Sequence, residues 1–166
     1  MKFETIYISE NKRIPNSNLP VILYSSIFQE GKEDYGEDFF ELFEKNGWGN
    51  SWRNGVYSFH HYHAKAHEVL GCASGWVKVQ LGGEEGEIFE LKKGKAVLLP
   101  AGTGHKRVEA SADFSIIGAY PHNQSPDLNK EDSEKYAENK ESIQKVRNPE
   151  KDPVTGEEGP AVKEWK

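Results

Sequence analysis

The segment at residues 55–75 reads GVYSFHHYHAKAHEVLGCASG and holds four of the six histidines of the chain. Four imidazoles this close together would repel one another once they were protonated. A divalent metal ion removes that repulsion because it binds neutral imidazoles through a ring nitrogen. The cluster therefore indicates a metal site, for which the candidate donors are His60, His61, His63 and His67.

Strand geometry selects two of these histidines. Residues i and i+2 of a strand share one face, so His61 and His63 lie on the face that also carries Tyr57 and Phe59. We expect this face to point into the protein, with Tyr57 as a candidate to meet a substrate. His60 is on the opposite face, which predicts a position at the surface or one that supports a ligand.

A glutamate begins the next predicted strand. Glu68 shares a face with Leu70 and Cys72, and burying a carboxylate on such an apolar face is costly unless it meets a cation. Glu68 is therefore the expected fourth ligand, and His67 is the alternative that could replace or join it. Cys72 is expected to be a small buried residue, with a contact to the site as the alternative. His105, which follows a proline–glycine turn, supplies a donor from a later strand.

The donor set restricts the metal ion without identifying it. The candidates are Fe, Mn, Ni, Zn and Co, since imidazole suits the later transition metals and a carboxylate extends the range to Mn. Because the donor set contains no cysteine, a structural zinc site is disfavoured. Three imidazoles and one carboxylate leave one or two positions open on an ion that takes five or six ligands.

The spacing of these residues resembles that of the cupin superfamily. The first cupin motif combines a glycine, His-x-His, a glutamate and a second glycine, and it is matched here by Gly55, His61, His63, Glu68 and Gly75. The second combines a glycine, Pro-x-Gly and a histidine, matched by Gly94, Pro100, Gly102 and His105, with Glu109 in place of the closing asparagine. The resemblance implies one divalent ion on His61, His63, Glu68 and His105.

The same resemblance implies an all-β fold, the double-stranded β-helix or RmlC-like jelly-roll barrel of cupins, with one or two short helices. Short strands separated by glycine turns are typical of such barrels. We predict them at residues 2–9, 21–28, 76–81, 87–91, 96–99, 105–109 and 113–119. A helix is predicted at 38–46 from the spacing of its apolar residues. The wider sequence resembles the YjlB-like group of small bacterial cupins with one barrel.

The chain is expected to form one domain with an extension. We place a single cupin barrel at residues 1–121, with its motif core at 55–109. Residues 122–166 form a charged, polar C-terminal extension that includes a short solvated helix or loop. Because this extension also contains Val154 and Trp165, we expect it to pack on the barrel or on a partner subunit.

Composition disfavours several classes of partner. The chain has 166 residues and a formal net charge of −6, whereas nucleic acids and anionic membranes attract basic surfaces. No secretory signal and no run of about 18 apolar residues is present, and Cys72 is the single cysteine. We therefore expect a cytoplasmic protein. Apolar strand edges near the N-terminus indicate a homodimer formed by edge pairing.

The favoured function is that of a metal-dependent enzyme, a dioxygenase-like oxidoreductase acting on a small organic molecule. A metal-dependent isomerase is the second enzymatic hypothesis. The alternatives are a cupin that binds a small ligand without turnover and a structural cupin, because one fold hosts many chemistries. Arg53 is a candidate clamp for a substrate carboxylate, with a surface ion pair as the alternative.

Overall fold

The protein is mostly β-sheet. A computed structural model describes all 166 residues and contains eleven strands and three short helices. The strands are β1 (Lys2–Ile6), β2 (Val21–Ser25), β3 (Trp48–Asn54), β4 (His61–Tyr62), β5 (Glu68–Ser74), β6 (Trp76–Leu81), β7 (Ile88–Lys92), β8 (Ala96–Leu99), β9 (His105–Ala110), β10 (Ser115–Pro121) and β11 (Asn129–Lys130). The helices are α1 (Gly36–Lys45), α2 (Tyr136–Lys145) and α3 (Pro160–Lys163).

The strands form two antiparallel sheets. One has six strands in the order β1-β2-β8-β5-β10-β3, and the other has five in the order β11-β4-β9-β6-β7. Neighbours in each sheet are often distant in sequence, as a jelly roll requires. The all-β cupin barrel predicted from the sequence is confirmed.

The main core lies between the two sheets. Leu70 and Cys72 of the six-stranded sheet pack in one cluster with Val77 and Val79 of the five-stranded sheet. All seven residues of β5 are buried, because the opposite face of β5 is covered as well. Glu68 therefore begins a strand whose two faces are both packed against other parts of the protein.

The second face of the six-stranded sheet is covered by α1 and by the C-terminal extension. Val69 and Ala73 of β5 share a cluster there with Phe39 and Phe43 of α1. A methyl group at Gly71 would lie 2.6 Å from the ring of Phe39. Glycine at this position thus allows the helix to approach the strand closely.

The C-terminal extension is anchored to the barrel. Trp165 is 2% exposed and donates a hydrogen bond from Nε1 to the carbonyl of Pro20, at 2.9 Å. Asp152 is fully buried, and its carboxylate accepts hydrogen bonds from Tyr24 of β2 and from backbone N–H groups of the extension. Residues 148–166 therefore form part of the folded domain.

Several element limits differ from those predicted by the sequence pattern. Strands at 76–81 and 96–99 coincide with the prediction, and the helix begins two residues earlier than expected, at Gly36. The continuous strand assumed around the histidines is reduced to His61–Tyr62, because residues 55–60 run as a loop. The longest helices have ten residues, and none is long and apolar enough to cross a membrane.

Candidate metal centre

Three histidines meet at one end of the barrel. His61 of β4 is directly opposite His105 of β9 in the antiparallel ladder. His63 is the first residue after β4. The candidate donor atoms of the three side chains all lie within 4.8 Å of one another. One pair of strands thus brings together His61 and His105, which belong to different cupin motifs.

Backbone carbonyls fix the orientation of all three imidazoles. The Nδ1 atoms of His61 and His105 lie 3.0 Å from the carbonyl oxygens of Phe59 and Thr103, respectively. The Nδ1 of His63 is hydrogen-bonded to the carbonyl of Asp127. A carbonyl only accepts hydrogen bonds, so each Nδ1 carries the proton and each Nε2 presents a lone pair. This arrangement is typical of histidines that bind metal ions.

Glu68 completes the set of donors. Its Oε1 lies 3.4 Å from the Nε2 of His63 and 3.5 Å from the Nε2 of His105, and the residue is 3% exposed. Ligands at about 2.1 Å from one ion are roughly 3.0–3.5 Å apart when the angle between them is a right angle or tetrahedral. The residues therefore fit a transition-metal ion, and a cation is needed to offset lone pairs and a carboxylate that face one another.

The electrostatics of the site agree with a need for positive charge. Burial alone would raise the pKa of Glu68, but the adjacent His63 and His105 outweigh this and lower it. Burial likewise opposes protonation of His63, yet the charge of Glu68 raises the pKa of His63 to about 9. Burial and repulsion from His105 lower the pKa of His61 to about 3. One cation is thus favoured next to Glu68. Without a metal ion this cation is the protonated imidazole of His63, and the Nε2 of His63 presents its lone pair once a bound metal ion displaces that proton.

A cavity of about 600 Å³ opens onto these donors. His61, His63, Glu68 and His105 all contribute to its lining. The remaining wall includes four aromatic residues and Arg107. The aromatic residues are Trp52, Tyr57, Phe59 and Tyr120. The volume is within the range of small-molecule sites, so a bound ion would be reachable from solvent on this side.

Tyr57 lies at the mouth of this cavity. Its side chain is 52% exposed, and its ring stacks on Phe59 with centroids 4.9 Å apart. The ring of Tyr57 also packs edge-to-face with the imidazole of His61, with ring centroids 5.0 Å apart. The structure therefore places Tyr57 beside a candidate ligand, where an entering molecule would meet it.

Arg53 does not line the cavity, and its predicted role as a substrate clamp does not fit the structure. Its guanidinium pairs with Asp34, and its Nε donates a hydrogen bond to Ser115 Oγ at 2.8 Å. An inward position for Arg53 would require one strand to continue from Arg53 to the histidines. Strand β3 instead ends at Asn54, before the loop that leads to them. Arg53 therefore makes the surface ion pair that was the alternative.

His67 is also separate from the donors. Its Nδ1 accepts a hydrogen bond from the backbone N–H of Ala101 at 2.9 Å, and its Nε2 donates to the carbonyl of Arg147 at 3.1 Å. Both ring nitrogens are used, so His67 neither replaces nor joins Glu68. Its imidazole instead packs against Trp165, with ring centroids 4.7 Å apart, and holds the C-terminal extension.

Cys72 and His60 are buried without reaching the cavity. Cys72 is packed in the core between the sheets, where burial raises the pKa of its thiol to about 12. His60 is 2% exposed, and its Nε2 lies 2.8 Å from Glu84 Oε1. A surface position for His60 was therefore wrong, because the loop at 55–60 turns its ring under Glu84.

Several residues of the site were missed by the sequence analysis. Tyr120 accepts a hydrogen bond from Trp52 Nε1 at 2.8 Å, and its ring centroid is 6.3 Å from that of His63. Burial and the nearby charge of Glu68 raise the pKa of Tyr120. Arg107 could have been found, because it lies two residues after His105 on the same strand. Tyr120 comes from another sheet and had no comparable signal.

Comparison with known proteins identifies one full-length relative. No family model matches the chain. The "Uncharacterized protein YjlB" of Bacillus subtilis (strain 168) is 34% identical over 163 residues, which is 98% of this chain and 96% of YjlB. The match therefore covers both the barrel and the C-terminal extension.

Two solved structures are similar to this chain at lower sequence identity. Acireductone dioxygenase from Bacillus anthracis, with a cadmium ion in its active centre, is 14% identical with a TM-score of 0.39. The match covers 56% of this chain and 64% of that enzyme. RmlC from Streptococcus suis in complex with dTDP-D-xylose is 13% identical with a TM-score of 0.36, over 74% and 72% of the two chains. These scores carry no argument about function. The identity to YjlB over nearly the whole length, together with the observed barrel, shows that the chain belongs to the YjlB family of small cupins.

Proposed function

We propose that this protein is a metal-dependent enzyme, a dioxygenase-like oxidoreductase that acts on a small organic molecule. One observation supports this proposal most strongly. Carbonyls orient three imidazoles whose candidate donor atoms lie within 4.8 Å of one another, and the Nε2 atoms of His63 and His105 lie 3.4 Å and 3.5 Å from the buried carboxylate of Glu68. The proposed ligands are His61, His63, Glu68 and His105.

The donors favour a divalent ion of the group Fe, Mn, Ni, Zn and Co. Such an ion supplies a Lewis acid and, for the redox-active members, an electron-transfer centre. The four donors form part of a cavity wall of about 600 Å³, whereas a purely structural site would be closed. Access from the cavity therefore favours an enzyme or a ligand-binding protein over a structural cupin.

The protein groups around the cavity would bind and orient the substrate. Trp52, Tyr57 and Phe59 offer apolar aromatic surface, and Arg107 offers a guanidinium that forms no ion pair within the chain. Tyr120 keeps its proton at neutral pH because its pKa is raised, first by burial. Trp52 donates to the Tyr120 oxygen, and the Tyr120 hydroxyl can donate its own proton toward the carboxylate of Glu68, which is a candidate ligand. A small aromatic or carbonyl compound with a negative charge fits these groups.

The proposal is tested by metal analysis and oxygen uptake. We expect protein purified without added metal to contain about one transition-metal ion per chain and to consume oxygen with a small carbonyl or phenolic compound. The His61→Ala substitution should abolish both properties, because loss of a ligand typically weakens metal binding severely. His122→Ala is the control, since His122 is exposed and does not line the cavity.

The possible results separate the candidate functions. Metal at full occupancy without oxygen uptake, but with conversion of a carbonyl compound, would favour the isomerase. Metal at full occupancy with ligand binding and no turnover would favour a binding protein. Protein that contains no metal after purification and takes up none when Fe(II), Mn(II), Ni(II), Zn(II) or Co(II) is added would refute the metal centre itself.

A further inference from the structure

A second cleft lies away from the proposed metal centre. It has a volume of about 810 Å³ and shares no lining residue with the first cavity. Its walls are the end of α1 with the start of β3, the loop that follows β10, and the chain at the end of α2. The cleft is thus formed where the C-terminal extension meets the barrel.

This cleft is basic although the protein is acidic. Its lining includes five permanent cations, which are Lys45, Lys65, Lys145, Arg147 and Lys151. Only two carboxylates line it, Glu44 and Glu150, and Glu44 lies 3.7 Å from the Nε2 of His122. The chain as a whole has a net charge of −6. Positive charge is therefore concentrated at this one place, where it would attract anions.

None of the five cations has a partner within the chain. Some cations elsewhere form ion pairs with carboxylates, as Lys32 does with Asp38 and Lys140 with Glu10. No ion pair involves a cation of the cleft, and no side chain of these five forms a hydrogen bond. Cations of like charge around one cleft repel one another, and a bound anion would relieve that repulsion.

The backbone holds two of these cations in place. The carbonyl of Arg147 accepts hydrogen bonds from His67 Nε2 at 3.1 Å and from Gln124 Nε2 at 2.9 Å. The carbonyl of Lys151 accepts one from Trp48 Nε1 at 2.9 Å, and Trp48 is 1% exposed. His67 and Trp48 therefore fix the main chain at both residues, which sets where their charged side chains leave the backbone.

We propose that this cleft binds a small molecule that carries several phosphate groups. Lysine and arginine are the side chains that bind phosphate oxygens, and five cations suit a ligand with several negative charges. The volume is within the range of small-molecule sites. A nucleic acid is disfavoured, because the negative net charge would repel the rest of a long phosphate chain.

Isothermal titration calorimetry of the full-length protein with sodium tripolyphosphate and with ATP tests this proposal. We expect saturable binding of at least one probe. The double substitution Lys65→Glu/Lys145→Glu should weaken it about tenfold or more, because charge-assisted contacts with phosphate oxygens are replaced by repulsion. Equal affinities for the two probes would identify the phosphates as the recognised group, and tighter binding of ATP would indicate a nucleotide.

A double substitution with the same change in net charge serves as the control. Lys92→Glu/Lys93→Glu alters two exposed lysines of β7 and its following turn, outside the cleft, and we expect binding to change less than twofold. Circular dichroism and thermal unfolding establish that all variants are folded. Absence of binding with both probes, or an equal loss in the two double variants, would overturn the proposal.

Discussion

At the scale of single residues, two arginines differ in whether their guanidinium groups already have a partner within the chain. Arg53 is occupied by Asp34 and Ser115 and lies outside the cavity. Arg107 has no ion pair and contributes to the cavity wall beside His105. Both residues are compatible with carboxylate binding by type, but only Arg107 has a guanidinium free to engage a ligand.

Replacing Arg107 should therefore weaken binding of a small anion in the cavity. We expect Arg107→Met to reduce the affinity of the metal-loaded protein for benzoate about tenfold, because a charge-assisted pair contributes about 1.5 kcal/mol or more. The fluorescence of Trp52, which lines the same cavity, provides the measurement. Arg53→Met is the matched control and should leave the affinity unchanged. An equal effect of both substitutions would contradict the assignment.

The sequence predicted those residues of the site that belong to the cupin motifs. The spacing of His61, His63, Glu68 and His105 predicted that they would converge, and the structure brings their side chains together. The role of His67 was undecided because parity alone does not reveal hydrogen bonds to Ala101 and Arg147. Tyr120 and Asp127 could not be foreseen, since they reach the site through the fold of β10 and the loop that follows it.

At the scale of elements, the C-terminal extension depends on one buried carboxylate. Asp152 Oδ2 accepts hydrogen bonds from Tyr24 at 2.6 Å and from the N–H of Ala161 at 2.9 Å. Its Oδ1 accepts bonds from the N–H groups of Val154 and Thr155. A single side chain thus connects β2, the turn that follows Asp152 and α3.

Removal of this carboxylate should destabilise the protein markedly. We expect Asp152→Ala to lower the free energy of unfolding by about 3 kcal/mol, because buried donors on Tyr24 and on the backbone lose their acceptor. Urea unfolding followed by circular dichroism measures the change. Glu157→Ala, at an exposed position in the same extension, should cost less than about 0.5 kcal/mol. A similar small effect at Asp152 would show that the extension is held by other contacts.

The elements themselves were predicted unevenly. Strands β6 and β8 were found at their observed limits because glycine turns flank them, and because β6 alternates apolar and polar residues while β8 is a short apolar run. The strand expected across the histidines is only two residues long, since residues 55–60 leave the sheet. Val154 and Trp165 indicated that the C-terminal extension packs on another surface, and both lie in an apolar cluster. Its polar contacts, such as that of Asp152 with Tyr24, gave no signal in the sequence.

At the scale of the whole molecule, the free edge of the six-stranded sheet is where a second copy of the chain could pair. Strand β1 pairs with β2 and forms one edge of the six-stranded sheet. Apolar side chains are exposed along this edge, with Phe3 at 44% and Tyr7 at 69%. An open edge with exposed apolar groups favours pairing with a second copy. The homodimer thus stays a prediction, with β1 as the expected interface.

Light scattering coupled to size-exclusion chromatography tests the dimer. We expect the unaltered chain to elute as a dimer, and Phe3→Asp/Tyr7→Asp to shift it to a monomer, because charge would be buried at the contact. The matched control is Ile88→Asp/Val108→Asp, which places the same charges on exposed apolar positions of the smaller sheet. A monomer before any substitution, or a monomer formed only by the control, would contradict pairing through β1.

The anchoring of the imidazoles also affects how relatives of this protein can diverge. The carbonyl that orients His61 belongs to Phe59, and every amino acid at position 59 would supply the same main-chain oxygen. The side chain of Phe59, in contrast, forms part of the cavity wall. Substitutions at this position can therefore reshape the space offered to a ligand while the imidazole keeps its alignment. A different ligand specificity can therefore evolve at position 59 while the proposed metal ligands stay in place.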